Sequence, residues 1–180
     1  MAHPLEKFKY CPACGSKHFA ENGPYSKKCE DCGFTYYDNP KAATVAIIIN
    51  SNNEILVCRR AKDPAKGTLD LPGGFTDIGE TAENGVIREV KEETGLDVTQ
   101  VTFLFSKPNI YPFSGMIVNT MDLFFLCKVN TTDGLIANDD VAETRFIPIK
   151  DLLPEDFGLN SIQEAVSELK KMNLERDLLL

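Results

Sequence analysis

Four cysteines set the tightest limit on how this chain can fold. Cys11 and Cys14 form C-P-A-C, fourteen residues intervene, and Cys29 and Cys32 form C-E-D-C. Each C-x-x-C lets one tight turn present two thiolates to a single ion, and two such turns complete a tetrahedron. Gly15 and Gly33 follow the second cysteine of each pair, where these turns favour a residue that tolerates positive φ. Two disulfides are the competing reading. The N-terminus (MAHPLEKFKY) lacks the apolar core of a secretory signal, and a chain that stays in a reducing compartment is not expected to hold them. A redox site uses one C-x-x-C and not a matched pair. The expectation is a closed, structural zinc ribbon. A segment of about 30 residues buries too little apolar surface to fold alone, so zinc binding, worth about 10–16 kcal/mol in peptides, supplies its folding energy. His18 lies inside the loop, but four thiolates leave it no coordination position, and it reads as a surface residue. Cys58 and Cys127 stand in apolar runs and read as small core residues.

The ribbon is expected to end in FTYYDNPKAA, where Asn39-Pro40 signals a turn and a new hydrophobic run starts at Ala42. That places the ribbon over residues 1–38 and a larger unit over 39–180, a division that a chain of 180 residues accommodates. No apolar run approaches the roughly 20 residues of a membrane helix, so neither a membrane location nor export is expected, and the chain reads as cytoplasmic. The net charge is −8 and uneven. Residues 1–41 hold six Lys/Arg against five Asp/Glu, whereas residues 42–180 hold thirteen against twenty-two. Such a balance argues against general affinity for nucleic acid or anionic membranes. An acidic body repels anionic substrates unless a cation intervenes, and a divalent metal is the obvious one.

AATVAIII and EILVCRR flank Asn50 to Asn53 and read as a β-hairpin. A helix is predicted over about Thr81 to Thr94. Strands follow at about 98–106, 116–129 and 144–149. A last helix is capped by Asn160 or Ser161 and runs through AVSELKKM. Strands on both sides of a helix, with another helix at the end, place the chain in the α/β class, with a mixed sheet packed between helices.

The informative stretch is Gly74 to Leu96, GFTDIGETAENGVIREVKEETGL. Thr81 suits an N-cap and Gly95 a C-terminal stop. On a helix Ala82, Val86, Glu89 and Glu93 form one stripe, apolar at its start and acidic where Leu or Val would be expected. Glu92 sits on the adjoining edge, so three carboxylates crowd one turn. One reading is a solvated charged face, although Lys91 marks the side where solvated glutamates would sit. The other is a magnesium or manganese site of oxygen ligands, because crowded carboxylates repel unless a cation is present.

These residues carry a resemblance. The stretch matches every fixed position of the Nudix box, G-x5-E-x7-R-E-U-x-E-E-x-G-U with U aliphatic, at Gly74, Glu80, Arg88, Glu89, Val90, Glu92, Glu93, Gly95 and Leu96. The preceding LPGG resembles the family's lead-in, with Leu69 where many members carry Trp. The resemblance implies a Nudix hydrolase with an α/β/α sandwich, cleaving nucleoside diphosphates linked to another moiety. It further implies that Glu89, Glu92 and Glu93, with the Gly74 carbonyl, bind Mg2+ or Mn2+. Glu80 would assist at the metal or pair with the helix, and Arg88 would orient the glutamates. Glu89 is the first candidate for the general base. Glu143, in VAETRFIPI, sits where some members place a further ligand or base, and reads equally as a loop carboxylate beside Asp139 and Asp140.

From Ser106 the chain reads SKPNIYPFSGM, similar to the S-Q-P-W-P-F-P-x-S motif of the NADH diphosphatase group, which also carries a four-cysteine ribbon. Ser106, Pro108, Pro112 and Ser114 match, Tyr111 replaces Phe, and Lys107, Asn109 and Ile110 depart from Gln, Trp and Pro. The resemblance therefore points to an adenosine diphosphate core (NAD(H), ADP-ribose or a nucleotide sugar) as the small-molecule partner, and a homodimer is admitted. A proline-rich loop beside the site is the plainer reading of the segment. Arg59, Arg60 and Lys62 follow the second strand and either receive substrate phosphate or balance the acidic surface. Two other functions remain open. One is a nucleotide-sensing module without catalysis, which an intact box disfavours. The other is removal of a nucleotide cap from RNA with the ribbon as RNA contact, for which Tyr36 or Tyr37 would have to stack on a base.

Overall fold

The computed structural model describes residues 3–172, so the first two and last eight residues of the expected 1–38 and 39–180 units lie outside the described residues. At the N-terminal end β1 (Phe19–Glu21), β2 (Ser26–Cys29) and β3 (Thr35–Tyr37) form a small antiparallel sheet in that order. Its core is little more than Cys11, Phe19 and Cys29, as expected of a segment that a metal holds together. Gly15 and Gly33 both take φ of 77°, and each donates its N–H to the carbonyl of the first cysteine of its pair.

The rest of the chain builds two further sheets. Strand β4 (Lys41–Ile47) is buried on both faces, which its unbroken apolar run requires. It pairs antiparallel with β7 (Gly73–Phe75) and parallel with β9 (Met116–Val129), and β8 (Val98–Phe113) adds the outer edge, giving the order β7-β4-β9-β8. The other sheet takes β10 (Val141–Pro148), β5 (Glu54–Arg60) and β6 (Leu69–Asp70), with β5 central. Helix α1 (Ala82–Thr94) packs Val86 and Val90 with Ala46, Ile48, Phe125 and Cys127. Helix α2 (Asn160–Leu169) packs Ile162, Ala165, Val166 and Leu169 on the alternate residues Val45, Ile47, Phe124 and Leu126. The period of two along β4 and β9 thus divides one run of apolar side chains between two helical layers. This is the expected α/β/α sandwich with a mixed sheet.

Three local expectations need correction. The segments flanking Asn50 to Asn53 turn back through one bridge, Ile49 with Ile55, and then enter different sheets. Both edges of β4 are occupied by β7 and β9, so β5 has no place beside it. The strand expected to end near residue 106 continues to Phe113, so the alternative reading of the segment after Ser106 as a loop does not hold. Pro108 and Pro112 are tolerated because β8 is an edge strand whose outer side needs no donor. Neither Asn160 nor Ser161 caps α2; its N-cap is Leu159, without a side-chain bond, and the helix ends at Leu169. The Ser161 hydroxyl is turned inward instead, donating to the buried Asp122 carboxylate at 2.5 Å.

Candidate active site

The acidic end of α1 faces an open cavity of about 370 Å3 lined by strands of both large sheets and the loop before β10. Helix α1 is cut at both ends by local chemistry. The Thr81 hydroxyl accepts the N–H of Asn84 at 3.2 Å, and Gly95 ends the helix in the left-handed conformation, φ 74°. Fully buried Val86 and Val90 fix the rotation of the helix and so aim Glu89 and Glu93 at the cavity. Gly73 is required on steric grounds. A Cβ there would lie 2.0 Å from the Thr44 carbonyl oxygen, and the close approach lets the Gly73 N–H donate to the Glu93 carboxylate at 3.0 Å.

Arg88 organises the acids. Its guanidinium donates two 3.0 Å bonds to Glu80, one of 2.8 Å to Glu89, one of 3.1 Å to Glu92 and one of 3.1 Å to the Phe75 carbonyl. The fork bonding to Glu80 holds that carboxyl below its ordinary range. Glu89 goes the other way, raised by burial against the opposing Arg88. Glu93 is 7% exposed; burial pushes its carboxyl up to about 8, with the Gly73 N–H opposing and the carboxylates of Glu89, Asp70 and Asp140 adding to the rise. Among the described residues no cationic side chain pairs with Glu93. The α1 side of the cavity therefore holds partly desolvated acids whose charge Arg88 only partly meets, a donor set suited to a hard divalent cation. The three carboxylates are not converged on one point. Coordinating an ion there would exchange bonds to Arg88 for bonds to the metal.

The expected residues divide between two faces of β5. Arg60 and Tyr111 line the cavity together with Gly74, Arg88, Glu89, Glu92 and Glu93. Arg59, one residue away and so on the opposite face, pairs with Glu143 at 3.1 Å across the β5–β10 register, and neither lines the cavity. Glu80 stands behind Arg88, also outside the lining. Sequence reasoning missed Asp70, Asp122 and Thr120, and noted Asn109 only as a departure from the motif and Asp139 and Asp140 only as neighbours of Glu143; all six line the cavity. The legible signal was an isolated acid inside an apolar run, LDLPGG and MDLFFL. Asp70 is neutralised by Arg60 at 2.5 Å, while burial raises its carboxyl and Arg60 opposes. The Arg60 guanidinium also donates to the Tyr111 hydroxyl at 3.4 Å.

A second cluster lies in the small sheet. The sulfurs of Cys11, Cys14, Cys29 and Cys32 fall within 4.8 Å of one another, the one such group of potential metal ligands among the described residues. Cys11 and Cys32 are 3.7 Å apart, as are Cys14 and Cys29, close to the ~3.8 Å edge of a tetrahedron with 2.3 Å metal–sulfur bonds. The Cys32 N–H, aided by that of Asp31, pulls the Cys29 thiol down to about 7. His18 is exposed, outside the group of four sulfurs, and pairs with Asp31 at 3.0 Å. Among the described residues no helix is long and apolar enough to cross a membrane.

Comparison with known proteins supplies an independent measure. The family model of the NUDIX domain matches residues 39–167. The ADP-ribose pyrophosphatase of Methanocaldococcus jannaschii is 36% identical over 153 residues, covering 80% of this chain and 87% of that protein. The NAD-capped RNA hydrolase NudC of Vibrio atlanticus is 31% identical over 121 residues, 67% of this chain but 44% of its own length. NudC of Vibrio vulnificus is 26% identical over 97% of this chain and 64% of its own length. The chain thus spans between about half and two thirds of these NudC relatives. Among solved structures, a NUDIX hydrolase from Nitrosomonas europaea superposes with a TM-score of 0.69 at 24% identity, over 93% of this chain and 92% of that one, a likeness of fold.

Proposed function

The chain belongs to the NUDIX domain family, and from that premise we propose that it hydrolyses the diphosphate bond of a nucleoside diphosphate joined to a second moiety, of the ADP-ribose or NAD(H) type. The observation that carries the reading is the placement of Glu89 and Glu93, half-buried and buried, on one cavity wall at the end of the apolar stripe of α1. In this reading Glu89, Glu92, Glu93 and the Gly74 carbonyl hold magnesium or manganese. Such ions offset the charge of the diphosphate and its leaving phosphoryl oxygen, and acidify water. Arg88 orients the glutamates and is itself held by Glu80. Glu89, drawn up by burial, is the first candidate for accepting the proton of the attacking water. Asp139 and Asp140, which line the cavity, are better placed than Glu143 for a second carboxylate role. Arg60 and Tyr111 are substrate contacts of the cavity wall.

The four cysteines bind one structural zinc, and residues 1–38 form a ribbon unit preceding a hydrolase unit over 39–180. The match to an ADP-ribose pyrophosphatase over most of both chains supports the substrate class. The NudC relatives favour a second reading, NAD attached to RNA, in which the same diphosphate bond is cut. The test is a magnesium-dependent hydrolysis screen of ADP-ribose, NAD, NADH, nucleotide sugars, nucleoside triphosphates and NAD-capped RNA, with products identified. AMP plus a second phosphorylated product is expected. No turnover of any diphosphate compound, with magnesium or manganese present, would overturn the proposal.

A further inference from the structure

A diphosphate entering the cavity meets eight carboxyl groups and two guanidinium groups, those of Arg60 and Arg88. The two arginines differ in what they have left to give. A guanidinium carries five N–H groups. Arg88 spends all five, two on Glu80 and one each on Glu89, Glu92 and the Phe75 carbonyl. Arg60 spends three. Its Nε donates to the Pro64 carbonyl at 2.7 Å, one terminal nitrogen to Asp70 at 2.5 Å, and the other to the Tyr111 hydroxyl at 3.4 Å. One N–H on each terminal nitrogen is therefore uncommitted among the described residues, and the side chain keeps 17% of its surface open. Lys62, two residues on, pairs with Asp139 and Asp140 and does not line the cavity. Among the described residues, Arg60 is thus the one cation on the cavity wall with donors to spare.

Asp70 sets where those donors stand. One of its oxygens accepts from Arg60 and the other from the Leu71 N–H at 2.9 Å, so the buried carboxylate is itself fixed. It arrives by the short pairing of β6 with β5, in which Asp70 stands opposite Cys58 and Leu69 opposite Arg59. The same run of backbone then delivers the Gly73 N–H to Glu93. It also brings Gly74 so close to Glu89 that a Cβ there would lie 2.6 Å from a carboxylate oxygen. Residues 69–74 thus register the arginine on the β5 wall against the glutamates on the α1 wall. We propose that Asp70 is a positioning residue, holding the Arg60 guanidinium so that its two uncommitted N–H groups meet a substrate phosphate across the cavity from the α1 glutamates. The inference rests on the nucleoside diphosphate reading of the cavity and deepens it by naming the group that aims a phosphate donor. A planar fork matches phosphate oxygens only in the right orientation, whereas a point charge has none to lose. Tying the fork to a buried carboxylate restricts the side chain before the substrate arrives, so less freedom is lost on binding.

The test is a binding cycle, read independently of turnover. The probe is α,β-methylene-ADP, whose bridging carbon blocks hydrolysis, titrated by calorimetry into the full-length protein with magnesium. The proteins are the wild type, Asp70→Asn, Arg60→Gln, Arg60→Lys and the double variant Asp70→Asn with Arg60→Gln. Asp70→Asn keeps the shape and an acceptor for the Leu71 N–H but removes the charge that holds Arg60. Asp70→Asn and Arg60→Gln should each weaken binding by about tenfold or more. The double variant should be within about twofold of Arg60→Gln, because Asp70 acts through Arg60. Arg60→Lys, which keeps the charge and loses the fork, should bind as weakly as Arg60→Gln. For any compound that the wild type hydrolyses, Asp70→Asn should raise KM by a similar factor and leave kcat within about threefold. A residue that serves only the fold would weaken binding by the same factor with Arg60 present or replaced, and that result overturns the proposal. So do wild-type affinity in Asp70→Asn, wild-type affinity in Arg60→Lys, which leaves Asp70 and its fold contacts in place, and failure of the wild type to bind the probe. Coupling in the cycle without hydrolysis of any diphosphate would instead overturn the activity proposed above and leave Asp70 and Arg60 as a phosphate clamp.

Discussion

Glu93 concentrates the chemistry of the site in one side chain, being buried, acidic, held by a backbone N–H and unpaired with any cation among the described residues. Glu93→Gln and Glu89→Gln keep the shape and remove the charge, so each should lower kcat by ~100-fold or more while the far-ultraviolet circular dichroism stays unchanged. Wild-type turnover in both variants would remove the glutamates from catalysis. The same residue gives a signed pH effect. Its carboxyl is raised from 4.5 to about 8 in the folded protein, so without a cation its contribution is fully stabilising below the ordinary value and is lost as pH rises towards 8. A divalent cation binds the ionised form and reverses that loss. The gain in melting temperature on adding magnesium should therefore grow between about pH 6 and pH 8.5 and should flatten in Glu93→Gln. A gain equally large at both ends of that range would show that Glu93 does not take up the ion.

At the scale of elements, α2 is tied to β9 by one inward hydroxyl. Ser161→Ala strips a partner from Asp122, which is 4% exposed, and should cost about 1–3 kcal/mol in chemical denaturation. A loss below about 0.5 kcal/mol would mean that Asp122 finds another donor. Ser161 also illustrates where the sequence is legible. Helix α1 could be read to within a residue, because Thr81, Gly95 and the Ala82–Val86 stripe are local signals that tertiary contacts reinforce. The boundaries of α2 and β8 could not, since both depend on partners far along the chain. Ser161 looks like a cap until Asp122 is known to lie beneath it, and Pro108 looks like a loop until β8 is known to be an edge. The candidate site divides in the same way. Inside the box the glutamates were legible from helical spacing and Gly74, Glu80 and Arg88 from the resemblance, whereas Asp70, Asn109, Thr120 and Asp122 reach the cavity only through the strand registers. Arg59 and Arg60 were indistinguishable by type; the pleat of β5 separates them.

At the scale of the whole molecule, the question is whether the cysteine cluster serves folding or catalysis. Four thiolates closing a tetrahedron leave a zinc ion no position for water or phosphate, so the ion can act only through what it holds in place. A zinc ion bound there would hold the small sheet, whose own apolar core is three residues, and through it the segment from which Lys7 reaches the Gly115 carbonyl at the tip of the β8–β9 hairpin. That sheet carries Tyr37, on a groove that adjoins the acidic cavity at Asn109. The cavity walls, by contrast, come from residue 43 onwards. Replacing Cys11 and Cys29 together by Ser in the full chain should therefore abolish the zinc that metal analysis is expected to find at one per chain in the wild type. It should remove a low-temperature step from thermal unfolding and leave the main transition in place, because the two larger hydrophobic clusters contain no residue of the small sheet. Magnesium-dependent hydrolysis should persist, with the change falling on KM for substrates long enough to enter the groove and little on kcat for a small one. Complete inactivity of the folded double variant on every substrate would mean that the ribbon helps to build the catalytic centre itself. Equal zinc content in the variant and the wild type would mean that the four sulfurs are not the zinc site.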